Sequence, residues 1–292
     1  MQSRVFPRLG FGCVSLTACK SLWHARKVLD QAAESGIHYF DTAPSYGKGY
    51  SEIILGKFLA SNPTTRDRFW IASKLSTCLP SSPAVPVQLG MAINRIRRKA
   101  IDSRKTNNGS PRSRNYNPPL LTAFQIQRSD LEKSLERSLS SLKTTYLDVC
   151  LLHESLPSFL SESAVEFLKQ QKKLGTIRNL GVAAHGSNYL SLSEDELKDW
   201  DVLQYEFGSA WPSHGQIIKQ FPNKHHVVHS CLDKKNYDAR LSSNKHPSSS
   251  LLLAEAARQV RNSTVLFSSL NLSHIRQNAS EVNTAILKDG HS

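Results

Sequence analysis

Four residues able to transfer or orient protons lie at or just after the ends of short apolar segments. Asp41 closes "IHYFD", Lys74 closes "WIASK" and His153 closes "LDVCLLH", while Tyr46 follows five residues after Asp41. Each side chain alone has an ordinary explanation, such as a turn cap, a packing residue or a solvated strand end. Charged groups at the ends of buried strands are nevertheless costly unless they are paired, so we interpret the four residues together.

An acid, an amine, a phenol and an imidazole can together protonate an oxygen atom. A free tyrosine has a pKa of about 10, and a neighbouring ammonium group lowers that value. Asp41 can hold the ammonium of Lys74 as an ion pair, and a neutral imidazole beside the phenol can orient a carbonyl group. The set predicts general acid catalysis at a carbonyl oxygen as a hydride reaches its carbon.

Short apolar strands alternate with amphipathic helices along the whole chain, which predicts a parallel sheet covered by helices. Eight strand–helix units favour a closed (β/α)8 TIM barrel formed as one domain by residues 1–292, although an open doubly wound sheet stays possible. The motif Ser129-Asp-Leu-Glu132 predicts a capping box before the helix that precedes the fourth strand. The eight predicted strands are 9–16, 37–43, 68–76, 146–154, 176–184, 202–208, 225–232 and 263–270.

The segment 79–120 interrupts this alternation between the third strand and its helix. It holds eight Lys or Arg residues and one acid, Asp102, so it contributes +7 of the net charge of +13. Because Pro and Ser bound the segment, we expect a long mobile insertion over the barrel mouth. Its middle, 88–101, is expected to form a short basic amphipathic helix.

The cysteines and the hydropathy of the sequence indicate the cellular compartment that we expect for the protein. The five cysteines are scattered and none forms a C-x-x-C pair, which is typical of a reducing compartment. The start of the chain, "MQSRVFPRLGFG", has no apolar signal core, and no apolar run reaches membrane-spanning length. We expect a cytoplasmic protein without a membrane span. We expect no metal site, because the histidines of 225–229 have an incidental spacing.

Long stretches of the sequence resemble the aldo-keto reductase family. The similar stretches are "GIHYFDTAPSYGKGYSEIILGKFL", "WIASK", "LEKSLERSLSSLKTTYLDVCLLH" and "TIRNLGVAA", and the likeness covers nearly the whole chain outside 79–120. The resemblance implies a (β/α)8 barrel that binds NADP(H) or NAD(H) in extended form. It also implies a catalytic tetrad of Asp41, Tyr46, Lys74 and His153, with Tyr46 as the general acid.

The resemblance further implies a set of cofactor-binding residues, with some departures. The family usually holds the nicotinamide amide with a Ser-Asn pair after the fifth strand. Residues 181–184 of this chain occupy that place and contain neither a Ser nor an Asn, and His185 and Ser187 are the candidates to substitute. His274 and Arg276 are the only cations on the adenosine side, so we expect little preference between NADP and NAD. The implied cofactor-binding residues are Gly12, Cys13, Asp41, Gln204, His229, Ser268, Ser269, Asn271, Gln277 and Asn278.

The sequence thus favours an NAD(P)-dependent oxidoreductase that interconverts a carbonyl group and an alcohol. We expect a small aldehyde, ketone or polyol as substrate, with sugar-like compounds among them, and a monomer as the working form. Trp211 and the insertion are expected to contribute to specificity. One alternative is a cofactor-binding sensor or partner-docking protein with little turnover. Nucleic-acid binding through the basic insertion is a weaker alternative, because Tyr116 is the only aromatic residue interleaved with its charges.

Overall fold

A computed structural model describes residues 4–61, 63–75, 85–96, 125–208, 213–232, 248–260 and 262–289. Eight parallel strands in these ranges form a closed barrel in chain order, which confirms the predicted (β/α)8 architecture. The strands are β1 Leu9–Gly12, β2 Tyr39–Asp41, β3 Trp70–Leu75, β4 Leu147–His153, β5 Ile177–Ala183, β6 Val202–Glu206, β7 His225–His229 and β8 Ser263–Phe267.

The described helices surround this barrel. They are α1 Leu22–Glu34, α2 Tyr50–Ala60, α3 87–96, α4 Arg128–Leu142, α5 Glu162–Leu174, α6 Gly186–Tyr189, α7 His214–Gln220, α8 Ser249–Gln259 and α9 Leu272–Asp289. Two 3₁₀ segments, Cys13–Ala18 and Tyr46–Gly49, follow β1 and β2 at the barrel mouth. No helix of the described ranges combines the length and the apolar character needed to cross a membrane.

Local sequence signals explain where several helices begin and end. The Ser21 hydroxyl accepts the N–H of His24 at 3.0 Å at the start of α1, as an N-cap does. Ser161 caps α5 in the same way, and α5 ends at Gly175, whose φ of 78° lies in the left-handed region that favours glycine. These helices then bury one apolar face against the outside of the barrel.

The inner face of the barrel is filled by alternate residues of the strands. Their side chains form one apolar cluster that includes Tyr39, Ala72, Leu151, Val202, Val227 and Leu266. Side chains of a strand alternate between its two faces, so residues two positions further along share the inner side. That alternation places Asp41, Lys74, His153, Gln204 and His229 on the inner side at the carboxyl ends of their strands.

Two local predictions differ from the structure. The first strand ends at Gly12 instead of residue 16, because the chain turns into the 3₁₀ segment Cys13–Ala18. The predicted capping box of Ser129 and Glu132 is wrong, because α4 begins two residues earlier than that box requires. Instead, the Asp130 carboxylate accepts the N–H of Gln127 at 3.4 Å, and Glu132 pairs with Arg128 at 2.7 Å.

Part of the predicted insertion belongs to the folded body. Residues 87–96 are helical, within the span expected to hold a short helix. Met91 is only 2% exposed and Val87 packs against the core, so α3 is a packed element of the structure. The rest of the expected mobile lid, 79–84 and 97–120, lies outside the described residues, as does Trp211.

Candidate functional site

A buried ion pair forms the floor of the barrel mouth. Lys74 Nζ lies 2.7 and 2.9 Å from the two carboxylate oxygens of Asp41, and it also donates to the carbonyl oxygen of Thr42 at 3.0 Å. The strand register explains the pairing. Asp41 of β2 lies beside Ala72 of β3, and Lys74 is the next inward residue on β3. Both side chains are 3% exposed, so the ammonium and the carboxylate depend on each other for solvation.

The charge of Lys74 is fixed by its neighbours. Burial on its own lowers the pKa of the ammonium, but attraction to Asp41, together with Tyr46, outweighs burial and raises that pKa above its usual value. Lys74 is therefore protonated throughout the neutral pH range. The predicted ion pair of Asp41 and Lys74 is present as such.

Tyr46 lies beside this ion pair. It begins the 3₁₀ turn after β2, and its ring centroid is 4.9 Å from Lys74 Nζ. Burial raises the pKa of the phenol, while Lys74 acts in the opposite direction. The predicted influence of Lys74 thus has the expected sign, but burial is the larger effect and the net shift is upward. The phenol consequently keeps its proton at neutral pH.

His153 also lies near Tyr46. The two ring centroids are 6.4 Å apart and the ring planes meet at 84°. Burial, with a smaller contribution from Lys74, lowers the pKa of His153 to about 3. The imidazole is therefore neutral at physiological pH, as the sequence predicted, and can donate one N–H to a neutral acceptor such as a carbonyl oxygen.

Gln204 of β6 adds a side-chain amide to these polar residues, and the oxygen of that amide has no hydrogen-bond partner in the structure. Its Nε2 donates to Asp41 Oδ2 at 3.0 Å, while its Oε1 is buried and has no hydrogen-bond partner in the structure. Buried polar atoms are nearly always satisfied, so Oε1 is suited to a donor that enters the mouth. The amide N–H₂ of a nicotinamide is such a donor, and the mouth therefore fits the cofactor that the sequence implies.

A second polar pair lies at the ends of β6 and β7. Glu206 lies beside His229 in the strand register, and its Oε2 accepts the backbone N–H of Gly186 at 3.1 Å. Burial lowers the pKa of His229, whereas Glu206 raises it. Our sequence reasoning included His229 and missed Glu206. Glu206 lies two residues after Gln204 on the same strand, and this spacing would have indicated that both side chains point to the inner side of the barrel.

Four further residues expected to bind the cofactor, or to substitute for the family's Ser-Asn pair, are placed as follows. Gly12 lies beside Asp41 in the register of β1 and β2, within the mouth. The Cys13 side chain is fully buried, and burial raises the pKa of its thiol well above the usual value. The backbone carbonyl oxygen of Cys13 accepts a hydrogen bond from the Ser51 hydroxyl at 2.8 Å. His185 and Ser187, the expected substitutes for the Ser-Asn pair, contact each other at 2.8 Å.

The residues expected at the adenosine side lie along α9. Ser268, Ser269 and Asn271 come together at its start, where the Ser269 hydroxyl accepts the N–H of Asn271 at 3.1 Å. Asn271 Oδ1 accepts the N–H of Ser273 at 2.9 Å and so satisfies one free donor of the helix. Gln277 and Asn278 lie further along α9, the first exposed and bonded to Glu281 and the second buried.

The described ranges contain no cluster of three or more His, Cys, Asp or Glu side chains arranged for a metal ion. The polar groups of the mouth are instead an ion pair, a phenol, imidazoles and an amide. This arrangement can stabilise a bound carbonyl oxygen and deliver a proton to it.

Comparisons with known proteins point to one family. The model of the Aldo/keto reductase family matches residues 8–112 and 120–228. The D-threo-aldose 1-dehydrogenase of Pseudomonas sp is 41% identical over 80 residues, which are 26% of this chain and 24% of that protein. An aldo-keto reductase of Gibberella moniliformis is 27% identical over 233 residues, 74% of this chain and 62% of that protein.

A third curated relative is similar to part of this chain. The D-arabinose 1-dehydrogenase of Saccharomyces cerevisiae is 25% identical over 61% of this chain and 44% of its own length. The chain thus spans less than two thirds of the length of each of these three curated relatives.

The solved structures share the fold at low identity. The holo form of aldo-keto reductase AKR11C1 from Bacillus halodurans has a TM-score of 0.66 and 19% identity, and the match covers 94% of this chain and 86% of that chain. An aldo-keto reductase from Klebsiella pneumoniae in complex with NADPH has a TM-score of 0.58 and 17% identity, over 97% and 87% of the two chains. At these identities the likeness concerns the fold alone.

Proposed function

Because the chain belongs to the aldo/keto reductase family, we propose that it is an NAD(P)-dependent oxidoreductase that interconverts a small carbonyl compound and its alcohol. The observation that carries the proposal is the buried pair of Lys74 and Asp41 beside Tyr46 and His153 at the mouth of the barrel. A phenol that keeps its proton at neutral pH next to a fixed ammonium is suited to protonate a carbonyl oxygen.

Each member of the tetrad has a separate role in this proposal. Tyr46 donates its phenolic proton to the substrate oxygen during reduction and takes it back during oxidation. Lys74 stabilises the phenolate that remains, and Asp41 keeps the ammonium in place. The neutral imidazole of His153 donates a hydrogen bond to the same oxygen and orients the carbonyl group. The nicotinamide cofactor, when bound, supplies the hydride for reduction or accepts it in oxidation.

Residues around the mouth and along α9 are suited to hold that cofactor. Gln204 Oε1 can accept the amide N–H₂ of the nicotinamide, and Gly12 and His229 border the same space. Ser268, Ser269 and the first turn of α9 offer hydroxyl and backbone N–H groups for phosphate oxygens. Asn271, Gln277 and Asn278 supply further polar side chains on the adenosine side.

We propose a sugar-like aldehyde, ketone or polyol as the substrate class. Two curated relatives are named as dehydrogenases of D-threo-aldose and D-arabinose. Glu206, His153 and His229 give the mouth several groups that can bond to hydroxyl groups of a substrate. A polyhydroxylated substrate would use the remaining hydrogen-bonding capacity of these groups, whereas an apolar one would desolvate them and offer no hydrogen bond in return.

Turnover assays with both reaction directions test the proposal. The purified chain would be given aliphatic, aromatic and sugar aldehydes with NADPH or NADH, and aldoses with NADP⁺ or NAD⁺, while the reduced cofactor is followed by absorbance. We expect reduction or oxidation with at least one polyhydroxylated compound. Cofactor binding, measured separately by fluorescence titration, without turnover of any compound in either direction would contradict the proposed enzyme.

A binding or sensor function on the same barrel is a second candidate. The sequence of 181–184 provides two alanines where the family places the Ser-Asn pair for the nicotinamide amide, and Ala183 and Ala184 are largely buried. That change removes two side-chain hydrogen bonds to the cofactor. Binding of NAD(P)H together with a complete absence of turnover would favour this second candidate.

A further inference from the structure

Helix α3 lies against the turn that carries Tyr46. Asn94 Nδ2 donates to the carbonyl oxygen of Gly47 at 3.1 Å, one residue beyond Tyr46. The hydroxyl of Tyr50, the first residue of α2, donates to the carbonyl oxygen of Val85 at 2.8 Å. The helix and the residues before it therefore contact the Tyr46–Gly49 segment at its centre and at its exit.

This turn has an unusual backbone. Gly47 and Lys48 have φ angles of 58° and 60°, in the left-handed region, and such a conformation is unfavourable for a lysine. A Cβ on Gly47 would overlap the side chain of Thr17, which is buried in the 3₁₀ segment after β1. The turn is thus packed against Thr17 on one side and bonded to Asn94 on the other, and outside contacts must maintain its shape.

Helix α3 is itself anchored firmly enough to serve as a support. Met91 is buried, Val87 packs against the core, and Arg95 Nη1 donates to the carbonyl oxygen of Lys20 at 3.2 Å. Gly90 faces the ring of Tyr50, where any Cβ would overlap the ring. This close approach allows Asn94, one turn further along the same helix, to reach Gly47.

We propose that Asn94 is a positioning residue, which acts through its hydrogen bond to Gly47 to hold the Tyr46 phenol beside Lys74 and His153. The inference rests on the proposed function, because it assigns Tyr46 the role of proton donor. Without this hydrogen bond the Gly47–Lys48 peptide loses its Asn94 donor, and the turn that carries the Tyr46 ring can shift. A misplacement of about 1 Å in an active site can lower a rate about 10²-fold.

Asn94→Ala tests the inference, and Gln88→Ala is the matched control because it truncates an exposed amide on the same helix. We expect Asn94→Ala to lower kcat for carbonyl reduction at least about ten-fold, with the Kd of NADPH and the KM of the substrate within about two-fold of wild type. Gln88→Ala should match wild type in all three. Gly90→Ala, which forces α3 away from Tyr50, should reproduce the loss of kcat.

The pH profile separates positioning from a general loss of stability. Burial raises the pKa of Tyr46 and Lys74 lowers it, so a phenol that moves away from Lys74 and stays buried loses its proton at higher pH. We expect the alkaline limb of the pH–kcat profile to move upward in Asn94→Ala and to stay in place in Gln88→Ala. A variant that loses stability alone would show a lower melting temperature with an unchanged alkaline limb, and that result would overturn the inference.

A readout without turnover distinguishes this inference from the proposed function. With ¹³C-tyrosine labelling, the Tyr46 Cζ resonance can be assigned by its loss in Tyr46→Phe. We expect Asn94→Ala and Gly90→Ala to move this resonance and Gln88→Ala to leave it unchanged. If wild type turns over no carbonyl but the resonance moves, the proposed function fails and the positioning contact stands. If the resonance and kcat of Asn94→Ala both match those of Gln88→Ala, the positioning role is wrong.

Discussion

The two ends of the barrel each bury an aspartate, but they surround it differently. At the start of β4, Asp148 accepts hydrogen bonds at 2.9 Å from the guanidinium groups of Arg4, Arg66 and Arg178 and from the backbone N–H of Ile71. Every lone pair of that carboxylate faces a donor. The ring of Tyr146 lies between two of these guanidinium groups, with centroid distances of 3.9 and 3.8 Å.

At the mouth, Asp41 has one ammonium and one amide as partners. The same amide, of Gln204, leaves its oxygen without a partner, and Tyr46 and His153 remain half-buried beside the pair. A fully satisfied polar network contributes rigidity, whereas unmatched donors and acceptors are costly unless a ligand satisfies them. The comparison supports our proposal that the Asp41 group serves binding and catalysis while the Asp148 cluster serves stability, a division of roles typical of TIM barrels.

The strongest test of this comparison removes one phenolic hydroxyl at each end. Tyr46→Phe should lower carbonyl reduction about 10²–10⁴-fold, because it removes the proposed general acid, with the Kd of the cofactor nearly unchanged. Tyr146→Phe loses a hydroxyl that donates to Asp67 at 2.6 Å and should keep the wild-type rate. Tyr46→Phe with more than about a tenth of the wild-type rate, where chemistry limits turnover, would contradict the assignment.

Asp148→Asn should lower stability without lowering the catalytic rate, the opposite of the result expected for Tyr46→Phe. The change removes the buried counter-charge that three guanidinium groups share, so we expect the free energy of unfolding to fall by about 3 kcal/mol, with the kcat of the folded fraction retained. Asp41→Asn should lower both stability and kcat, because it releases the ammonium beside Tyr46. Urea denaturation and steady-state kinetics measure the two quantities. Loss of kcat in folded Asp148→Asn would remove the distinction between the ends.

Acid should weaken the fold through histidines at the start of β7. Burial lowers the pKa of His225 and His226 to about 4, below the usual value of 6.5. Between those values the unfolded chain binds protons that the native state does not, so stability decreases as pH falls from 6.5 to 4. His226→Gln should flatten this dependence of the melting temperature on pH. A wild-type melting temperature that stays constant across that interval would contradict the assignment of both histidines as buried and neutral.

The smallest expected effect concerns the choice of cofactor. Arg276 donates to Gln31 at 2.9 Å, and His274 is exposed, so few cations are available near Ser268 and Ser269 among the described residues. One charged contact to a 2′-phosphate would contribute about 1.5–3 kcal/mol, or roughly 10- to 150-fold. We expect the Kd values of NADPH and NADH to differ by less than about ten-fold. A hundred-fold preference for NADPH would reveal a basic contact from elsewhere in the chain.

The sequence predicted the site residues better than their energetics. The alternation of strands and helices, and the period of two within each strand, were sufficient to place Asp41, Lys74 and His153 at one mouth. The capping box at Ser129 failed because α4 begins at Arg128 with Gln127 as its N-cap, so Ser129 already lies inside the first turn. Asp148 was not singled out, since the identity of its three arginine partners depends on contacts far apart in the chain.

By itself, the sequence determined the barrel, the placement of Asp41, Lys74 and His153 at the carboxyl ends of β2, β3 and β4, and the family to which the chain belongs, because these follow from local periodicity and from contiguous motifs. Only the tertiary structure decided the net pKa of Tyr46 and the contact between Asn94 and Gly47. The pKa of Tyr46 depends on the balance between burial, which raises it, and the charge of Lys74, which lowers it. The contact joins residues 47 positions apart, and no periodicity in the sequence indicates which distant surfaces meet.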